Sequence, residues 1–487
     1  AAAAAATPVA PDVLAMGQLR LEPCDIGARG HGAPTLRAYC TAFPVPEDRA
    51  NPAGRQLRLR IAVVRSLAAR PEADPVVFLD GGPGGAASED FPAIAGAFEP
   101  LRRSHDIVMM DQRGTGGSNA LSCKSGDDGK KDDAADDAAA QDMGWLRDCV
   151  QRLHAQAAPE HYATLDAVAD LEALRQAIGA PRLDVVGISY GTRLAQQYAR
   201  VHPEGVRALV LDSPVPNDLA LGSEHARNLE DAVRALFDRC RARQDCRARF
   251  GDPYATLKAV QAHLHAHPEA LELRDPRSFE PQHRRVGAGA LAALVRLYMY
   301  NPHTAALLPY VLAEAQAGRY AALLGQAEVV VGDVEDHLTG GLGLSVGCAE
   351  DVDRLAPSAA DAGTVLGNSL TDWMIRACAI WPHGSRPAGF GEALRGALPV
   401  LVLAGENDPV TPPRYGEQIV KTLSNARLLV LKGQGHGQMP VGCMPRLVDR
   451  FLAPADAHGL DAHGLDAHCL DVLGEVPAFL DANGAAP

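Results

Sequence analysis

The chain's 487 residues exceed what one ordinary domain core organises, so a large domain carrying an insertion is expected. Hydrophobic residues at 47% and charged residues at 22% are globular values, and a net charge of −14 argues against nucleic acid and anionic membrane surfaces as main partners. No apolar run reaches roughly eighteen residues, which excludes a transmembrane helix.

The chain opens with AAAAAATPVAPD, which lacks the charged n-region and apolar h-region of an intact signal peptide. Residues 1–20 therefore read as a disordered Ala-rich arm, or as what remains after a signal is removed. The first strand pattern is QLRLRIAVV at Gln56–Val64, alternating and then continuously apolar. PVVFLD (Pro75–Asp80), HDIVMMD (His105–Asp111), RLDVVGIS (Arg182–Ser189) and RALVLDSP (Arg207–Pro214) follow, then LPVLVLAGEND (Leu398–Asp408) and ARLLVLKGQGH (Ala426–His436). Short apolar runs of this kind predict strands buried on both faces of a parallel sheet. Leu165–Ala180 and Gly191–Pro203 carry apolar residues at helical spacing, the first ending near Gly179 and the second stopping before Pro203. Strands alternating with helices predict an α/β domain with a mostly parallel, doubly wound sheet.

The strand series is interrupted between Pro214 and Leu398 by NLEDAVRALFDRCRAR, YATLKAVQAHLHAH, AGALAALVRLYMY and TAALLPYVLAEAQAG, all helical in pattern. The expected layout is an arm (1–20), a core (21–214 and 396–487) and a mainly helical cap (215–395) over the sheet's carboxyl edge. The charged segment Gly126–Gln141 reads as a surface loop. DAHGL, DAHGL and DAHCL repeat from Asp456 to Leu470. His-rich tracts can bind metal, but a short surface duplication is the simpler reading, and no metal site is expected.

Ten cysteines stand at 24, 40, 123, 149, 240, 246, 348, 378, 443 and 469, with no CxxC to favour zinc or a thioredoxin-like motif. They fall as five local couples, and sequential pairing would stabilise by roughly 3 kcal/mol per loop. Paired, they imply an oxidising compartment and a secreted or periplasmic protein. The alternative is ten buried free thiols in a cytosolic enzyme.

The chemistry concentrates in Gly187-Ile188-Ser189-Tyr190-Gly191, a G-x-S-x-G with a strand before it and a helix after it. Such a turn strains the serine backbone and sets a helix N-terminus beside the reacting oxygen. A serine hydroxyl needs a base, and an imidazole needs a carboxylate to fix its tautomer. His436, in GQGHG, and Asp408, ending the run before Pro409, complete the order Ser, Asp, His. Glu406 is the rival acid. Asp80-Gly81-Gly82-Pro83-Gly84-Gly85 follows another strand and predicts an oxyanion hole, with Gly82 N–H and Tyr190 N–H as donors. Asp111–Ser118 reads as a packed turn under the site, without a catalytic role.

GGPGG, DQRGTGGS, GISYG, the GEND aspartate and the GHG histidine together resemble the proline iminopeptidase and tripeptidyl aminopeptidase family of serine peptidases. Ser345–Glu350 (SVGCAE) and Cys378–Pro382 (CAIWP) look like segments of its larger, secreted tripeptidyl-aminopeptidase branch. The resemblance spans about Val13 to Leu452. It implies an α/β-hydrolase fold and a serine exopeptidase that cleaves near the free N-terminus of short peptides, through an acyl-enzyme and without cofactor or metal. It also implies that cap acids hold the substrate ammonium, with Glu350 and Asp351 as candidates and Glu224 as a weaker one. One departure stands out: Asp80 occupies a place where many relatives have His, which weakens the case for proline preference. The competing reading is an esterase or amide hydrolase acting on small non-peptide substrates, since the triad is common to both. A non-catalytic binding protein would be expected to lose a triad member, and all three are present.

Overall fold

The computed structural model describes residues 13–27, 34–123, 143–274, 279–453 and 460–484, apart from the side chains of 330 and 332–337. The charged 126–141 segment and the first part of the DAHGL tract lie outside the described residues. Twelve strands are seen among the rest: β1 (Leu14–Met16), β2 (Leu19–Ile26), β3 (Leu36–Pro46), β4 (Gln56–Val64), β5 (Val76–Leu79), β6 (Ile107–Met110), β7 (Leu183–Ile188), β8 (Val206–Asp212), β9 (Glu269–Arg274), β10 (Pro281–Val286), β11 (Val400–Gly405) and β12 (Ala426–Leu431). Ten of them form one sheet in the order β1-β2-β3-β4-β6-β5-β7-β8-β11-β12. From β6 to β12 every pairing is parallel; β1 to β4 pair antiparallel, and β4 meets β6 antiparallel.

All seven apolar runs read as strands from sequence lie in the sheet. Their residues explain why: Val76–Leu79 and Ile107–Met110 are buried throughout, with apolar clusters covering both faces. On one face Phe78, Phe91 and Phe98 stack at 5.0–5.8 Å between centroids. The helix Thr164–Ile178 ends at Gly179, whose φ of 72° caps it in the left-handed region glycine favours.

One expectation is corrected and one gains detail. Residues 13–20 are not an arm: β1 and the start of β2 form the sheet's antiparallel edge, turning at Gly17 (φ 56°), with Leu21 fully buried. The interval between β8 and β11 is mostly helical but also holds the β9–β10 hairpin, where His283, Arg284 and Arg285 alternate in exposure on a short solvated ribbon. Its helices His225–Ala242, Pro253–Ala266, Ala288–Tyr298 and Leu308–Gln316 bury an apolar cluster of their own.

The cysteines pair sequentially, as Cys24–Cys40, Cys123–Cys149, Cys240–Cys246, Cys348–Cys378 and Cys443–Cys469. No free cysteine remains. No helix among the described residues is long and apolar enough to cross a membrane.

Candidate active site

Ser189 sits between the end of β7 and the helix Tyr190–Val201 with φ 56° and ψ −123°. Few non-glycine residues hold such a backbone. The flanking glycines permit it. A Cβ at Gly187 would lie 2.5 Å from Gly191 O, and one at Gly191 would strike Leu79 O. A Cβ at Gly81 would lie 3.0 Å from Ser189 Cβ, so the glycine loop packs directly on the serine.

His436 Nδ1 lies 2.8 Å from Asp408 Oδ2. Asp408 is fixed in turn by Val410 N–H, Thr411 N–H and the Thr411 hydroxyl, each at 2.8 Å. Burial opposes ionisation of both groups, but their mutual charge and hydrogen bond outweigh it. The Asp408 carboxyl is held below its ordinary value, and the His436 imidazole is raised above its own, with the charge of Asp212 adding to the second effect. Glu406 turns elsewhere and accepts Gly433 N–H at 2.9 Å.

Asp212, which the sequence did not single out, ties serine to histidine. Its carbonyl accepts Ser189 N–H at 2.9 Å. Its fully buried carboxylate accepts Gln438 N–H at 2.7 and 2.8 Å and Met439 N–H at 2.8 Å, just past His436. Ser213 Oγ accepts Gly437 N–H at 2.9 Å. The signal for this role was an aspartate ending an apolar strand run, as Asp408 also does. Tyr300, from the helical interval, closes the other side. Its carbonyl accepts His436 N–H at 2.7 Å, its ring meets the imidazole edge-on at 5.0 Å, and the same carbonyl leaves no room for a Cβ at Gly435. Among the described residues Ser189 Oγ makes no hydrogen bond to His436; such contacts commonly tighten only when substrate binds.

The glycine loop is held from both sides. Asp80 Oδ1 accepts Gly81 N–H at 2.7 Å, and Gly84 O accepts Thr339 N–H at 2.9 Å from the helical interval. Gly82 N–H meets no acceptor among the described loops, and Tyr190 N–H, in the first turn of its helix, has no intrahelical partner. The Tyr190 hydroxyl is locked against Thr164 Oγ1 (2.8 Å) and Gln112 Nε2 (3.2 Å). Asp111 accepts Ser88 N–H, Ser88 Oγ–H and Gly117 N–H, and buried Arg113 grips Asp170 through two 2.7 Å bonds. The DQRG turn is thus a packed support beneath the site.

The expected ammonium site is where the structure differs most from the sequence reading. Glu350 and Asp351 are 1% and 0% exposed. Glu350 accepts Thr164 N–H (2.7 Å) and Thr164 Oγ1–H (2.9 Å) and lies 3.4 Å from Arg193; Asp351 pairs with Arg193 at 2.9 Å and Arg354 at 2.6 Å. Buried carboxylates require such compensation, and Arg193, in the nucleophile's own helix, provides it. Glu350 braces the Thr164–Tyr190 contact and Asp351 is bound between Arg193 and Arg354, so both carboxylates are engaged by internal partners. Burial, only partly offset by Arg193, lifts the Glu350 carboxyl to about 7. Glu224 is also engaged, by Tyr415 OH at 2.7 Å and Arg414 at 3.0 Å. No cluster of three or more potential metal ligands exists among the described residues.

Residues 74–442 match the family model for the alpha/beta hydrolase fold. The chain is 26% identical over 454 residues to the serine protease Hip1 of Mycobacterium tuberculosis, covering 85% of each chain. It is 26% identical over 442 residues to a tripeptidyl aminopeptidase of Streptomyces lividans, covering 85% of this chain and 81% of that one. A proline iminopeptidase of Neisseria gonorrhoeae is 33% identical over 141 residues, which is 29% of this chain and 33% of its own.

Proposed function

The chain belongs to the alpha/beta hydrolase fold family, and on that premise we propose that it is a serine exopeptidase cleaving peptide bonds near the free N-terminus of short peptides. Ser189 Oγ attacks the scissile carbonyl while His436 takes its proton. Asp408 holds the imidazole with Nδ1–H toward itself and stabilises the imidazolium. Gly82 N–H and Tyr190 N–H receive the developing oxyanion. His436 then protonates the leaving amine, and water, activated by the same base, releases the acyl group from Ser189. No step calls for a cofactor or a metal.

The observation that carries this reading is the tie through Asp212, whose carbonyl holds Ser189 N–H while its carboxylate holds the turn after His436. The mycobacterial and streptomycete relatives favour a peptidase over other acyl-transfer chemistry. Residues 215–395 act as a cap that closes the cleft and limits how many substrate residues enter. Five disulfides support a secreted or periplasmic location.

One observation favours the second reading, an esterase or amide hydrolase acting on small non-peptide substrates: Glu350 and Asp351 are committed to internal partners. The deciding experiment compares free and N-acetylated short peptides, with Ser189→Ala as control and products identified by mass. Cleavage confined to free-amine peptides is the expected result. Equal or faster hydrolysis of blocked peptides or simple esters would move the second reading to first place.

A further inference from the structure

Glu350 ends the helix Gly340–Glu350, and its carboxylate meets two other helices, Thr164–Ile178 and Tyr190–Val201. Oε1 accepts Thr164 N–H at 2.7 Å, and Oε2 accepts Thr164 Oγ1–H at 2.9 Å. The first turn of a helix favours such an anion. An ionised carboxylate only accepts, and a threonine hydroxyl carries one hydrogen. That hydrogen is spent on Glu350, so in the 2.8 Å contact between Thr164 Oγ1 and the Tyr190 hydroxyl the tyrosine donates. Gln112 Nε2 in turn donates to the Tyr190 oxygen at 3.2 Å. Gln112, Tyr190, Thr164 and Glu350 thus form a chain of hydrogen bonds that runs one way, and all four are buried. Arg193 Nη1 stands 3.4 Å from the same Oε2. Tyr190 and Arg193 are three residues apart, hence on one face of the first turn of their helix. Glu350 holds that turn at two points, once through Thr164 and once through Arg193. The turn begins directly after Ser189, whose φ of 56° persists only where the surroundings over-determine it.

We propose that Glu350 and Thr164 are positioning residues for acyl transfer, which anchor the Tyr190 hydroxyl and so hold the Tyr190 N–H where the oxyanion develops. This rests on the reading of Tyr190 N–H as an oxyanion donor. Neither side chain touches substrate; both act through Tyr190. A donor aimed at the oxyanion works only as that charge forms, so loosening it lowers kcat and leaves KM in place.

The test is hydrolysis of p-nitrophenyl acetate near pH 8.5, where Glu350 is ionised. Active sites are first titrated with a fluorophosphonate, so that kcat is counted per competent enzyme and a folding defect does not pass for slow chemistry. Thr164→Val removes the hydroxyl at nearly constant volume and keeps the backbone N–H on Glu350. It should lower kcat about tenfold, with KM within about twofold of wild type. Thr164→Ser, which retains the hydroxyl, should stay within about twofold of wild type. Tyr190→Phe cuts the same bond from the other side, and the double variant should be no slower than the slower single one. If Thr164→Val does not fold, Tyr190→Phe decides. Wild-type kcat per titrated site in Thr164→Val or Tyr190→Phe overturns the proposal, as does a Thr164→Ser enzyme as slow as Thr164→Val. Hydrolysis undiminished in Ser189→Ala overturns the nucleophile reading itself and the proposal with it.

Discussion

Asp212→Asn separates fold stability from catalysis. In the wild type the Asp212 carboxyl is raised to about 6 from 3.8, chiefly by burial. At 1.36 kcal/mol per pH step, keeping it charged at neutral pH costs the fold about 3 kcal/mol. Asparagine relieves that cost but turns an NH2 toward the N–H of Gln438 or Met439, forfeiting at least one charge-assisted hydrogen bond worth about 1.5–3 kcal/mol. The two effects nearly cancel, so the melting temperature should move by only a few degrees. Catalysis should not cancel. The turn carrying His436 loses its anchor, and a displacement of about 1 Å at the base costs about 100-fold in kcat/KM. Loss of the Asp212 charge should also move the acid limb of the pH profile down, because that charge helps raise the imidazole. Differential scanning calorimetry and kcat/KM between pH 5 and 9 read all three quantities. A variant within threefold of wild type, with an unmoved acid limb, would refute the anchoring role.

The remaining predictions address the triad, the buried acids and the disulfides. Ser189→Ala should abolish turnover with an unchanged circular dichroism spectrum, and near-native activity would remove Ser189 from its role. The acid limb of wild-type kcat/KM should lie above the ordinary imidazole value of about 6.5; a limb below it would contradict the His436–Asp408 geometry. In stability terms this pair acts oppositely: raised His436 contributes below 6.5 and fades as pH climbs through its folded value, whereas lowered Asp408 contributes above 3.8 and fades on acidification. Glu350→Ala should destabilise by about 2–4 kcal/mol, by orphaning Thr164 N–H and unbalancing Arg193, yet leave the preference for free over acetylated peptides untouched. A selective loss on free-amine peptides would restore the ammonium role. Thiol titration of the denatured protein should count none before reduction and ten after, with a lower melting temperature in reductant.

Much of this was legible because local pattern and tertiary role coincide. An apolar run such as PVVFLD has one place to go in a sheet covered on both faces, and G-x-S-x-G encodes a clash pattern that only glycine resolves. Residues 13–26 were missed because Pro23, Glu22 and Asp25 interrupt any apolar alternation in a half-exposed edge. The internal partners of Glu350 and Asp351 were hidden for a different reason. A carboxylate next to a binding cleft and one buried against an arginine look alike in sequence, and Arg193, which decides between them, stands 157 residues from Glu350. Asp212 escaped notice because its work is done by backbone N–H groups, which every residue supplies.

The carbonyl of Tyr300 has a consequence for modularity. Asp408, the carboxylate partner of His436, follows β11, but the backbone acceptor of the His436 N–H comes from the segment between β8 and β11. The segment between β8 and β11 therefore takes part in seating His436. Without that segment Asp212 and Ser213 would still hold the turn after His436, but the His436 N–H would lose its carbonyl acceptor. Replacing residues between β8 and β11 would keep this contact only if the Met299–Asn301 turn travelled unchanged. Remodelling has more freedom in the solvated β9–β10 ribbon, where no contact to the histidine turn is at stake.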